Sequence, residues 1–436
     1  MYLFFIRAFN DVDHFTPIIW KMNRDNYPVV VYCINPEYDI QNDYRLNFLR
    51  DNGVRVDYIY NELAKDLGIF HRIMRFLYQT TYDLQKRIVV DSRFSSRLQG
   101  LAHIAAKFLY HLTRKKYYGL DWARNILERN RAQVLCFDWV TPKRYVVDVL
   151  LRAAEEMAVM KLALPHGVYL YTNDLYANNL LKIDSTKNRL SEKREQFNRY
   201  DYIVVQNRLY QDVMSASGVE RQKIIVLGSA RYCDEWMMQH KKILPRVMKS
   251  ADEDTGSLKV VFMTTRSRYR IKVERMIRTF DMLSKMKGVD IRVKPHTRTN
   301  QYNANKDVGM FTGLPFPNAA AVSSVELCEW ADVILVVGSS IIIEALKLHK
   351  PVLYLKFLHE NITEYEKFGA CWIIHNETEL QEALMSLKKT KTKVPYRNED
   401  VNKWLSEIIY GGRDKRDVLA DYEALILDCA KRGKPS

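Results

Sequence analysis

The chain has 436 residues, of which 47% are hydrophobic, so it can bury a large core and form two or more domains. No run approaches the roughly 20 apolar residues of a membrane span, and the apolar start of the chain lacks the basic region of a signal peptide. The formal charge of +15 predicts an anionic partner: nucleic acid, an anionic membrane surface or a negatively charged substrate.

The six cysteines form no CxxC pair, and several lie in apolar runs. This usage predicts buried thiols in a reducing compartment, without disulfides or a zinc site, and therefore a cytoplasmic protein. The sequence contains no recognised nucleic-acid-binding module, so only the charge supports a nucleic-acid partner, and we disfavour it.

Strand and helix patterns alternate through the first half of the chain, which is typical of a mostly parallel sheet covered by helices. A helix is predicted from Lys143 to about Met157. The predicted strands are residues 2–6, 28–33, 55–60, 133–137, 160–164, 202–205 and 223–227.

Residues 69–118 carry ten Lys or Arg side chains against only Asp83 and Asp91, and aromatic residues are interleaved with them. Basic and aromatic residues at helical spacing suit a helix that lies on lipid headgroups. The alternative is a solvated helix whose other side faces the core. We expect this segment to contact an anionic membrane surface.

A polar, charge-dense stretch at 239–258 predicts a linker between two domains, 1–238 and 259–398. The second domain repeats the alternation, and two helices follow within 399–436. Its predicted strands are residues 260–263, 289–293, 332–337, 352–355 and 371–374. Two such domains form a cleft, and ligands of parallel sheets lie beyond the carboxyl ends of the strands.

Candidate site residues follow several of these strands. His166 comes directly after residues 160–164 and titrates near neutrality, so it can act as a base or hold a phosphate. In VLGSARYCDEW, Arg231 and Asp234 lie where the domains should meet. A carboxylate there can act as nucleophile or base on a sugar carbon, whereas the alternative is a helix-capping Asp234.

The second domain gathers cations and a Gly-Ser-Ser turn at the ends of its strands. These residues are Arg266, Arg268, Lys294, His296, Arg298, Gly338, Ser339 and Ser340. Because the carboxyl ends of parallel strands share one edge, we expect an anion site in which the turn receives a phosphate. Glu344, one helical turn further, either accepts hydrogen bonds from ribose hydroxyls or is an ordinary surface residue.

The stretches LPHG, LGSARYCDEW, KPHTR and DVILVVGSSIIIEALKLHKPVLYL resemble the GT-B glycosyltransferases of bacterial surface carbohydrates. Within that group, the chain is most similar to the retaining β-Kdo transferases of O-antigen and capsule assembly, which use CMP-Kdo. The resemblance implies an α/β GT-B fold: two Rossmann-like parallel-sheet domains face an interdomain cleft, and the C-terminal helices cross back to the first domain. It also implies no metal or other cofactor.

The same resemblance suggests roles for individual residues. Ser339 and Ser340 would take the donor phosphate, Glu344 the ribose, and Asp234 would be the nucleophile. The candidates for the acid/base are His166, ranked first, then Glu155, Glu156 and Asp138. Asp13 and His14, predicted to lie in a strand-end loop, would contact the acceptor sugar. His296 is followed by Thr297 where related transferases often have His-Pro, which weakens its assignment to the nucleotide.

The resulting hypothesis is transfer of Kdo from CMP-Kdo to a lipid-linked glycan by a cytoplasmic enzyme peripheral to the inner leaflet of the bacterial inner membrane. Two other enzymes fit the same features. One is a UDP-N-acetylglucosamine 2-epimerase, which needs no acceptor. The other is a polyol-phosphate transferase that uses a CDP-polyol.

Overall fold

The computed structural model describes residues 1–64, eight residues between 69 and 84, and residues 104–113, 118–168, 170, 194–248, 256–265, 271–296, 316–317, 319–413 and 416–433. In this part of the chain, twelve strands form two separate parallel sheets. Arg266, Arg268, Arg298 and most of segment 69–118 lie outside the described residues.

The first sheet contains seven strands in the order β3-β2-β1-β4-β5-β6-β7. They are β1 (Tyr2–Ile6), β2 (Val29–Cys33), β3 (Arg55–Tyr58), β4 (Val134–Asp138), β5 (Met160–Leu164), β6 (Tyr202–Val205) and β7 (Ile224–Val226). In the centre, Phe4 pairs with Val31 on one side and Cys136 on the other. Every residue of β1, β2 and β4 is buried, as expected for a parallel sheet covered on both faces.

The second sheet contains five strands in the order β12-β11-β10-β8-β9. They are β8 (Leu258–Met263), β9 (Val289–Lys294), β10 (Val333–Val336), β11 (Val352–Leu355) and β12 (Trp372–Ile374). The chain order reverses between β1 and β4 in the first sheet and between β8 and β10 in the second. Such a reversal opens a crevice at the carboxyl ends of the strands.

Thirteen complete helices surround the sheets in the described residues. They are α1 (Phe9–Arg24), α2 (Tyr44–Asp51), α3 (Leu120–Arg129), α4 (Tyr145–Glu156), α5 (Arg208–Ala216), α6 (Asp234–Ile243), α7 (Val273–Ser284), α8 (Ser324–Trp330), α9 (Ile341–Lys347), α10 (Glu364–Lys367), α11 (Glu377–Lys389), α12 (Asn398–Tyr410) and α13 (Val418–Arg432). None of the helices in this part of the chain has the length and apolar character that a bilayer crossing needs.

The C-terminal helices return to the first sheet. Helix α13 packs against α1, β4 and β5, and Tyr422 donates a hydrogen bond to the Gly228 carbonyl (3.0 Å). Gly228 has φ +81°, and a Cβ there would lie 2.1 Å from the Ile409 carbonyl oxygen of α12. Only glycine allows this close approach.

The predicted fold class, with two parallel sheets and C-terminal helices that cross back, is confirmed. The predicted loop around Asp13 and His14 is wrong, because both residues lie in α1. Residues 239–243 of the predicted linker are helical as well, because α6 continues to Ile243. The domain limits themselves remain predictions.

Candidate functional site

A cavity of about 410 Å³ lies between the two halves of the chain. Its walls include Asp13 from α1, Arg231 after β7, Thr264 after β8, and Lys294 at the end of β9. Ser339, Ser340 and His296 also line it. The cavity is therefore formed at the carboxyl ends of strands from both sheets, at the reversal point of the second one, and its volume suits a small-molecule ligand.

Lys294 supplies a buried cation to this cavity. Its Nζ donates hydrogen bonds to the carbonyls of Ala320 (2.7 Å) and Val322 (2.6 Å). Burial lowers the pKa of Lys294 to about 8, so the ammonium form still predominates at pH 7. Two of the three N–H groups of the ammonium donate to these carbonyls, and the two hydrogen bonds hold the ammonium at the cavity wall.

The Gly-Ser-Ser turn faces the same cavity. Ser340 is the N-cap residue of α9, but its side chain makes no capping hydrogen bond. The Ser339 hydroxyl accepts a long hydrogen bond from the Ile341 N–H (3.4 Å). The cavity is therefore lined by two hydroxyls that the helix start engages weakly or not at all.

Arg231 joins the two halves beside the cavity. It forms an ion pair with Asp13 of α1 (2.7 Å) and a longer one with Glu344 of α9 (3.7 Å). Arg45, itself almost fully buried, pairs with the other oxygen of Asp13 and with Asp43. Burial alone would raise the pKa of Asp13, but Arg231 and Arg45 hold it at about 2. Asp13 is thus a fixed anion on the cavity wall.

Glu344 is not the surface residue of the alternative interpretation. It is 2% exposed, and burial raises the pKa of its carboxyl to about 7. Its Oε2 atom has no hydrogen-bond partner among the described residues, and the side chain does not belong to the cavity lining. The flanking IIIEAL sequence is the signal of burial that the motif comparison overlooked.

Two histidines near Arg231 differ in position. His14 is 4% exposed and does not line the cavity, so the structure does not place it to contact a sugar there. Burial, followed by repulsion from Arg231, lowers its pKa to about 3. His240, which sequence reasoning missed, lines the cavity with Tyr44, and the Tyr44 hydroxyl lies 2.7 Å from its Nε2.

A second polar cluster lies at the reversal of the first sheet. Asp138 ends β4 and is 1% exposed. Arg7, directly after β1, donates from Nε to its Oδ1 (2.9 Å), and His166 Nδ1 lies 3.5 Å from its Oδ2. Asp11 accepts hydrogen bonds from the backbone N–H groups of Arg7 (2.8 Å) and Ala8 (3.1 Å). The His166 side chain is 32% exposed, so a ligand can reach it. Like Arg7 and Asp138, it does not line the 410 Å³ cavity.

Asp11, Asp138 and His166 place potential metal-ligating atoms within 4.8 Å of one another. Arg7, however, already pairs with Asp138 and lies 3.9 Å from Asp11. Its guanidinium supplies the positive charge that a metal ion would bring, so the donor set fits a proton-transferring histidine oriented by a carboxylate better than a cation site.

The other predicted catalytic carboxylates lie elsewhere. Asp234 begins α6, its side chain is 67% exposed, and it binds Lys347 and the Tyr410 hydroxyl (2.7 Å). It does not line the cavity. Glu155 and Glu156 end α4, which returns from the carboxyl edge of the sheet to the opposite edge, and they pair with Arg199 and Arg124. The structure thus removes Glu155 and Glu156 from the site.

No protein-family model matches the chain, and no curated protein matches it by sequence. Solved structures of similar fold do match. A UDP-N-acetylglucosamine 2-epimerase from Methanocaldococcus jannaschii, in complex with UDP-N-acetylglucosamine and UDP, shares 13% identity over 98% of this chain and 99% of its own, with a TM-score of 0.53. The epimerase from Rickettsia bellii shares 12% identity over 98% and 95%, with a TM-score of 0.52.

A third structure, MnaA of S. aureus with UDP, shares 12% identity over 100% of this chain and 98% of its own, with a TM-score of 0.53. At these identities the likeness concerns the fold alone. It agrees with the two parallel sheets and the returning C-terminal helices, and the chain has the GT-B architecture.

Proposed function

We propose that this chain is a glycosyltransferase that uses a nucleotide-activated sugar. The observation that carries the proposal is the cavity between the two halves, because it joins a buried ammonium, Lys294, to the hydroxyls of Ser339 and Ser340 at the reversal point of the second sheet. Ammonium and hydroxyl donors suit the phosphate of a nucleotide sugar. Two of the solved structures of the same fold are complexes with UDP, which supports a nucleotide ligand.

The first sheet offers the group that would move a proton. In the proposed transfer, an acceptor hydroxyl attacks the anomeric carbon as the bond from that carbon to the phosphate oxygen breaks. His166 takes the proton of the hydroxyl, and the nucleotide leaves with the electron pair. Asp138 orients the imidazole and stabilises its charged form, and Arg7 holds Asp138 in place.

Our specific proposal for the donor is CMP-Kdo. This molecule carries one phosphate and one sugar carboxylate, and the cavity is lined by two cations, Lys294 and Arg231, of which Arg231 also pairs with Asp13. The proposed acceptor is a lipid-linked glycan. Direct attack inverts the anomeric carbon, whereas the retaining course implied by the resemblance needs a covalent intermediate on a nucleophile. Asp234 is the candidate from the sequence for that nucleophile, but its side chain lies outside the cavity. The anomeric configuration of the product tests that course.

A 2-epimerase is the second candidate, and the similar solved structures favour it. Such an enzyme needs a group that exchanges a proton with the sugar, and His166 beside Asp138 would serve there too. The two functions differ in one requirement, since an epimerase consumes no acceptor.

The decisive experiment mixes the purified chain with CMP-Kdo, CMP-sialic acid, UDP-N-acetylglucosamine or a CDP-polyol, with and without lipid-linked acceptors, and measures released nucleotide and isomerised sugar. We expect CMP release from CMP-Kdo that depends on the acceptor. Isomerisation of UDP-N-acetylglucosamine without acceptor would establish the epimerase instead. Transfer of a polyol phosphate from the CDP-polyol would establish a polyol-phosphate transferase. If the chain neither binds nor turns over any of these donors, the proposed function is refuted.

A further inference from the structure

The described residues of segment 69–113 expose an unusual number of large apolar side chains. Nine of the fourteen such side chains in the described part of the chain belong to it, and the other five are scattered over the rest. The nine are Ile69, Ile73, Phe76, Leu77, Leu84, Ile104, Phe108, Leu109 and Leu112. Isolated exposed apolar residues are ordinary, but a cluster of this kind marks an interaction surface.

The helical residues 104–113 show how this surface is built. On one side, Ala106 and Thr113 are buried, and Tyr110 packs against the apolar cluster of the first sheet. On the other side, Ile104 and Phe108 are each 65% exposed, and Leu112 follows at the same helical spacing. The helix is therefore apolar on both sides, but only one side packs against the core of the first sheet.

The described helical residues of 69–84 continue the surface. Ile69, Ile73, Phe76 and Leu77 recur at helical spacing and are exposed. Thr81 lies 3.1 Å from Thr113, measured between the two hydroxyl oxygens, and this contact joins the two helical stretches. We call these nine exposed side chains, which lie on two helical stretches in contact with each other, the apolar surface of the first half of the chain.

The charge of the segment identifies what covers this surface. Residues 69–118 contain ten Lys or Arg against two Asp, and Lys107, between Ile104 and Phe108, is exposed. We propose that this apolar surface inserts into the headgroup boundary of an anionic lipid bilayer, where its apolar side chains enter the acyl region and Lys107 lies beside the lipid phosphates, while the net positive charge of the segment attracts the anionic surface. A protein partner would gain nothing from so strong a positive excess unless it were itself acidic.

The test is sedimentation of the full chain with vesicles, which needs neither donor nor acceptor and therefore stands apart from the transferase assay. We expect binding to vesicles that contain phosphatidylglycerol, weaker binding to phosphatidylcholine alone, and loss of binding at high salt. Phe76→Glu with Phe108→Glu should weaken binding at least about tenfold. Lys107→Glu should weaken it about fivefold.

The matched control is Ile277→Glu with Met385→Glu, two exposed apolar residues of the second half, and it should bind like the wild type. Far-UV circular dichroism checks that each variant folds. Equal vesicle binding by the Phe76/Phe108 variant, or no binding by the wild type, overturns the proposal. A wild-type dimer that this variant dissociates, without vesicle binding, would assign the surface to a second copy and overturn it as well.

Discussion

In the first sheet, Arg7 and Asp138 lie at the strand reversal, and His166 follows the neighbouring strand β5. In the second sheet, Thr264 and Ser339 lie at the reversal, and Lys294 ends the neighbouring strand β9. Both positions arise from the same layout, a parallel sheet whose chain order turns round. The first offers a carboxylate and an imidazole, and the second offers hydroxyls and an ammonium. One half is thus equipped to move protons and the other to hold an anion.

The difference shows that strand topology determines where a ligand binds, whereas the side chains at that position determine the chemistry. It also separates the proposed roles, because a defect in the first sheet should affect turnover and a defect in the second should affect affinity. The predictions below test this division, beginning with the largest expected effect.

Asp138→Asn should reduce kcat about a thousandfold while the affinity for nucleotide stays within a factor of about two, because the amide no longer stabilises a charged imidazole at His166. Steady-state kinetics and calorimetric nucleotide binding measure the two quantities. Glu156→Gln is the control, since Glu156 lies at the opposite edge and should retain full activity. Equal losses of nucleotide affinity and kcat in Asp138→Asn would contradict the assignment of turnover to the first sheet and nucleotide affinity to the second.

Glu344→Gln should change how stability depends on pH. The folded pKa of Glu344, about 7, lies above its ordinary value of 4.5 because the carboxyl is buried. The stabilisation of its protonated form is fully present below pH 4.5 and is lost as pH rises through 7. Removing this loss should raise the free energy of unfolding at pH 8, relative to pH 4, by about 3 kcal/mol compared with the wild type.

Chemical denaturation at several pH values measures this slope. Burial also raises the pKa of Glu364 to about 7, so part of the wild-type pH dependence should remain in Glu344→Gln. An unchanged slope would mean that Arg231 keeps Glu344 ionised in the folded chain.

Ser339→Ala with Ser340→Ala should weaken nucleotide affinity about tenfold, because two hydroxyl donors to the phosphate are lost. At saturating donor, kcat should change little. Ser284→Ala, an exposed serine of α7 whose hydroxyl bonds only the Asp281 carbonyl in the described residues, is the control. A loss confined to kcat would place the phosphate elsewhere.

Asp234→Asn should have the smallest effect, at most about threefold on kcat, because the side chain is largely exposed and bonded to Lys347 and Tyr410 outside the cavity. Transfer assays on this variant decide between the two interpretations of the residue. Complete loss of transfer with intact nucleotide binding would restore Asp234 as the nucleophile.

The sequence predicted the strands well, since β1, β5, β6 and β11 begin and end where the patterns did. Continuous β-branched runs between turn residues identify buried strands without any knowledge of tertiary contacts. From the strands followed the shared carboxyl edge, which is why Lys294 and Ser340 were expected on one surface and do share a cavity.

The sequence failed where contacts between distant elements decide. Asp13 was expected in a strand-end loop, yet it lies in α1, where it forms ion pairs with Arg45 of α2 and Arg231 after β7. Asp234 matched a motif, but motif position does not reveal that its carboxylate turns toward Lys347. Ion pairs between residues that are far apart in the chain leave no local pattern in the sequence.

The return of α13 to α1 has a consequence for how the chain is made. The inward face of α1, with Val12 and Phe15, belongs to the cluster that also contains Ile426 of α13, and Lys21 pairs with Glu423 (2.8 Å). Translation makes α1 long before it makes α13. The amino-terminal core therefore stays incomplete until α13 has been synthesised.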